Sequence, residues 1–112
     1  MELKKIAVKL GWEMLTDIPI GTFMVKEGYT GDLLSDVLAN ASPGSVWLTI
    51  QKHKNILGVA SAKDLTAVVL CGNNKPEEDL IKIAEIRNLP LFLTDDDTFV
   101  AGGKLYKLLE KK

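Results

Sequence analysis

Three short apolar runs, residues 45–50, 67–71 and 89–93, alternate with three helical patterns, and this alternation constrains the fold more than any other feature of the chain. Short loops join the runs. Strand–helix–strand units of this kind imply right-handed crossovers and a largely parallel sheet covered by helices on its faces. The expected class is therefore α/β, a three-layer α/β/α sandwich with a largely parallel, or mixed, central sheet. At 112 residues the chain fits one domain, 1–112, long enough to bury a core without staples. No linker, repeat or low-complexity segment divides it.

Local patterns place the elements. Leu3, Ile6, Ala7 and Leu10 recur at helical spacing, and Gly11 stands where a helix-ending glycine belongs. Residues 12–16 read as a short strand and 18–21 as a turn around Pro19. Residues 22–26 read as a second strand at an edge, because glycines flank them. Asp32 is read as the cap of a helix running to Asn40, with Leu33, Leu34, Val37, Leu38 and Ala41 as its buried stripe. In the run 45–50, Val46, Leu48 and Ile50 share one face and Trp47 takes the other, as suits a central strand. Asn55 caps a helix over 56–64. Pro76 opens the next helix, whose core face is Leu80, Ile81, Ile83, Ala84 and Ile86. The final helix, 98–110, turns Phe99, Val100, Leu105, Leu108 and Leu109 inward.

Composition excludes several function classes. A net charge of −1 argues against nucleic-acid or anionic-membrane binding, which need a basic surface. The longest apolar runs are too short to span a bilayer, and residues 1–8 lack the apolar core of a signal peptide. One cysteine, Cys71, permits no intrachain disulfide and suits a reducing, cytoplasmic setting. One histidine and one cysteine do not make a zinc site. The phosphate loop of nucleotide hydrolases, the dinucleotide glycine motif and the acyl-transfer serine elbow are all absent. No nucleophile–base pair can be named, so a non-catalytic protein without cofactor is expected.

Two polar clusters pressed against apolar runs hold the candidate binding residues. The first is Gly31-Asp32-Leu33-Leu34-Ser35-Asp36, where Asp32 and Ser35 are candidates. The second is Thr49-Ile50-Gln51-Lys52-His53-Lys54-Asn55, between a strand and a helix. There Lys52 and His53 suit a phosphate or carboxylate, with Thr49, Gln51 and Asn55 beside them. Gly72 and Asn73 follow the run 67–71 and form either a ligand loop or a plain turn. Asp95, Asp96 and Asp97 precede the last helix, where capping explains them, and no metal site is assigned.

These loops resemble the DRTGG domain family over nearly the whole chain. The resemblance rests on Asp32 to Asp36, Trp47 to Ile56, Leu70-Cys71-Gly72 before Pro76, Leu89-Pro90-Leu91 and Asp97-Thr98-Phe99. Of the name-giving residues only Gly72 is present. The chain is most similar to short stand-alone members carrying Gly-Asp-Leu-Leu-Ser-Asp and Thr-Ile-Gln-x-His-x-Asn. The resemblance implies a sandwich similar to the N-terminal domain of HPr kinase/phosphorylase, and a regulatory, dimerising role like that of the domain beside CBS modules or a phosphotransacetylase. The resulting expectation is a non-catalytic regulatory domain that self-associates. Its alternative is an anion- or nucleotide-binding sensor built on the loops after 45–50 and 67–71. Expected partners are a second copy, another regulatory protein, or a small phosphate-bearing ligand. Exposed Trp12, Phe23 and Met24 would supply the homodimer interface.

Overall fold

In a computed structural model of the chain, residues 1–110 are described. Lys111 and Lys112, counted in the expected domain, lie outside them. Five strands form one mixed, mostly parallel sheet: β1 (Glu13–Met14), β2 (Glu27–Thr30), β3 (Ser45–Thr49), β4 (Ala67–Leu70) and β5 (Leu91–Leu93). Their order is β1-β5-β4-β3-β2. The four strands β2 to β5 are parallel neighbours in sequence order, and β1 closes the far edge antiparallel to β5. Five helices complete the described residues: α1 (Leu3–Leu10), α2 (Leu34–Asn40), α3 (Asn55–Ala62), α4 (Glu78–Ile86) and α5 (Thr98–Glu110).

Strand alternation divides the core in two. Trp47, Val68, Leu70, Leu91 and Leu93 face α2, α3 and α4. Val46, Leu48, Val69 and Phe92 face α1 and α5. The chain steps the same way across the sheet from β2 to β5, so right-handed crossovers put all three connecting helices on one face. The sheet therefore has no point where strand order reverses, and lacks the crevice that usually receives ligands in doubly wound folds. Loops that leave the strand ends toward the same face are the remaining place for a cleft.

The N-terminal third departs most from expectation. Residues 22–26 are not a strand; apart from an isolated bridge between Met24 and Glu2, pairing begins at Glu27. The edge position holds, but Gly28 lies inside the strand rather than in a turn. A side chain there would meet Leu105 Cδ2 at 2.6 Å, so the glycine lets α5 lie against β2. The strand expected over 12–16 shortens to two residues. Trp12 is buried, its ring 5.7 Å from that of Phe92 and tilted by 52°. Phe23 is half-buried against the α1–α5 core. Of the three residues expected to form an exposed interface, only Met24 is exposed.

Helix ends shift as well. Gly11 ends α1 in the left-handed conformation, as its position implied. Asp32 does not cap α2: Leu33 holds the cap position without a side-chain bond, and only Val37 within the helix is fully buried. Leu33 and Leu38 are exposed. Asn55 is the first residue of α3 rather than its cap, and Pro76 lies before α4, which starts at Glu78. Ile50, Ile86, Phe99 and Val100 are exposed. In α5 the inward stripe is Ala101 and Leu105, with Leu108 and Leu109 beside it, which rotates Phe99 and Val100 toward water.

Candidate functional site

The carboxyl ends of β2 and β3 are tied together by a polar clasp. Asp32 Oδ1 accepts bonds from the Thr49 hydroxyl at 2.7 Å and the Ile50 N–H at 2.9 Å. The Gln51 side-chain amide donates to the Asp32 carbonyl at 2.8 Å, and the Gln51 N–H donates to Thr49 Oγ1 at 3.1 Å. Trp47 Nε1 donates to the Gly31 carbonyl at 2.8 Å. Below them Tyr29 and Asn40 both donate to the Asp36 carboxylate, at 2.6 and 2.9 Å. The Tyr29 hydroxyl first, then the Asn40 amide, holds the Asp36 carboxyl below the ordinary carboxylate range. The same pairing raises Tyr29. Asp32, Thr49 and Gln51, taken from sequence as ligand candidates, thus meet and bond to one another. Ser35 is exposed on α2, outside the clasp.

Past the clasp the β3–α3 loop turns outward. Lys52, His53 and Lys54 form one wall of a cleft of about 320 Å³, and Lys75 to Glu77 with Asp79 and Leu80 form the other. Lys54 Nζ lies 3.4 Å from Asp79 Oδ2. His53 Nδ1 accepts the Asn55 N–H at 3.4 Å, and the N–H groups of Ile56 and Leu57 bond back to the carbonyls of His53 and Lys54. The first N–H groups of α3 are therefore engaged within their own turn, and Lys52, Lys54 and Lys75 bring side-chain donors to the cleft. Asn55 is exposed but does not line the cleft.

Gly72 and Asn73 do not join Lys52 and His53, contrary to the shared pocket expected from sequence. Both hold positive φ, 75° and 56°. Their N–H groups donate to the Asp96 and Thr94 carbonyls at 2.8 and 2.9 Å, which ties this half of the loop to the β5–α5 connection. Only its second half reaches the cleft. Sequence reading passed over Lys75, Glu77 and Asp79. The available signal was a lysine in a strand–helix loop, with acidic residues one turn on, opposite a second such loop.

Two of the three aspartates before α5 have structural partners. Asp97 Oδ1 accepts the Val100 N–H at 2.8 Å, capping α5, and Asp96 pairs with Lys104 at 2.8 Å. Among the described residues no group of three His, Cys, Asp or Glu side chains could hold a metal ion. Burial pushes the Cys71 thiol up to about 11, with a smaller raising effect from Asp32, Asp96 and Asp97 and an opposing one from its backbone bond with Thr49. Among the described residues no helix is long and apolar enough to cross a membrane.

Comparison with known proteins follows this geometry. The DRTGG domain family model matches residues 31–108, from the clasp to the last turns of α5. No curated protein matches the chain in sequence. Among solved structures, the chain is similar to the CBS and DRTGG domains of the regulatory region of Clostridium perfringens pyrophosphatase, crystallised with the activator diadenosine tetraphosphate. The TM-score is 0.70 at 15% sequence identity, over 93% of this chain and 45% of that one. The likeness is one of fold, and this chain spans less than half the length of the other.

Proposed function

The chain belongs to the DRTGG domain family, and from that membership we propose that it is a non-catalytic regulatory module that associates with a second copy of itself. The observation that carries this reading is the clasp. Asp32, Thr49 and Gln51, candidates from both polar loops, are hydrogen-bonded to one another. Cys71 is buried and its thiol pushed up to about 11, which keeps it protonated near neutral pH. The association surface proposed is the open edge of β2 and the adjoining face of α5, where Phe99 and Tyr106 stand exposed. It replaces the surface around Trp12, which is buried. Light scattering across a concentration series tests it: a dimer mass is expected, and a monomer at high concentration refutes self-association.

A second reading is favoured by the cleft. Lys52, His53 and Lys75 would hold an anion, which makes the module a sensor of a small phosphate-bearing ligand. A regulatory region of similar fold, in the pyrophosphatase, was crystallised with a nucleotide activator, which supports testing phosphate compounds first. Ligand at one hundred times its Kd adds about 2.7 kcal/mol to stability, within reach of a thermal-shift assay. A Lys52→Ala, His53→Ala variant should keep its Tm in buffer, since both side chains are exposed. It should lose the ligand-induced shift. Equal shifts in variant and parent reject the site.

A further inference from the structure

Resting on the sensor reading, we infer that the cleft between the β3–α3 and β4–α4 loops takes a sugar or nucleoside monophosphate rather than a bare phosphate or a polyphosphate chain. Three features of its lining lead there. Lys52, Lys54 and Lys75 are set against Glu77 and Asp79, which leaves a formal surplus of one positive charge with His53 neutral. A triphosphate would bring far more negative charge than this lining offsets. It would also meet the two carboxylates at close range. The volume of about 320 Å³ lies at the lower end of the range for small-molecule sites, enough for one sugar ring with its phosphate.

The carboxylates of Glu77 and Asp79 add acceptors to the lining. Asp79 meets Lys54 through Oδ2 at 3.4 Å, a long contact that leaves it able to accept bonds from a ligand hydroxyl. Pro76 and Leu80 add apolar surface to the lining. Lysines that fix a phosphate, with carboxylates beside them that accept from hydroxyls, fit a polyol monophosphate. Bare phosphate has no use for these acceptors, and a polyphosphate is repelled by them.

The experiment is a thermal-shift series at constant ionic strength with ribose 5-phosphate, adenosine monophosphate, inorganic phosphate and tripolyphosphate. The two monophosphate esters should raise Tm most. Inorganic phosphate at equal concentration should raise it less than half as much, and tripolyphosphate no more than the esters. Lys52→Ala, Lys75→Ala should abolish every shift, whereas Asp79→Asn should erase most of the ester's advantage over inorganic phosphate. A larger shift with tripolyphosphate, or an advantage that survives Asp79→Asn, overturns the inference and leaves the sensor reading standing. Absence of any shift, or full shifts in the lysine variant, defeats both.

Discussion

The Thr49 hydroxyl donates a 2.7 Å hydrogen bond to Asp32, seventeen residues earlier in the chain, and the Ile50 N–H reaches the same carboxylate oxygen. Thr49 is fully buried. An acceptor removed from such a group leaves its hydroxyl short of a partner, and bonds to a charged acceptor are among the stronger ones. Asp32→Ala should cost about 1–3 kcal/mol of unfolding free energy. Asp32→Asn, which keeps an acceptor oxygen, should cost less than half of that. Urea denaturation measures both, and an alanine variant as stable as the parent contradicts the clasp.

Tyr29 and Asp36 give the stability a pH signature. The Tyr29 hydroxyl lowers the Asp36 carboxyl from its ordinary 3.8, so the contribution is present above that value and fades as pH falls through the lower folded one. Asp36 raises Tyr29 from 10.0, so that contribution is complete below 10.0 and fades as pH rises through the folded value. The parent's advantage in Tm over Tyr29→Phe should therefore be greatest between about pH 5 and pH 9 and shrink on both sides. An advantage unchanged from acid to alkali contradicts the pairing.

Gly28 tests how closely α5 lies on the edge strand. An added methyl would sit 2.6 Å from Leu105 Cδ2, so the buried Leu105 side chain would have to shift. Gly28→Ala should destabilise by about 1–3 kcal/mol, although alanine suits a strand better than glycine. Coupling it with Leu105→Ala should recover part of that loss. A neutral single variant contradicts the close contact.

Cys71 should be inert while the protein is folded. With the thiol pushed up to about 11, its thiolate at pH 8 is roughly a hundredfold scarcer than in a free cysteine. Burial adds a steric barrier. A thiol-specific chromophoric disulfide should react in step with unfolding in denaturant. Reaction at the free-thiol rate in buffer contradicts this placement.

Residues 45–110 were legible because each element there announces its own period. Val46, Trp47 and Leu48 alternate between two cores, Leu80 and Ala84 repeat at helical spacing, and Asp97 caps the helix it precedes. Local geometry sets those periods, so neighbours in sequence suffice to read them. Gly28 misled because a glycine read locally marks a turn, whereas its place in β2 is required by Leu105, far along the chain. Asp32 misled for the same reason. Its spacing to Ser35 suited a cap, but its carboxylate was claimed by Thr49 and Ile50 once β2 and β3 paired.

The sequence alone thus determined the α/β class, the helix-covered strands and the two polar loops. Tertiary structure alone decided that the first half of the 49–55 loop closes on Asp32 of the other loop while its second half faces Lys75 and Asp79 across a cleft. The physical reason is direction. Backbone periodicity is a property of adjacent residues, but the partner of a polar side chain depends on which loops the crossovers carry to the same face of the sheet.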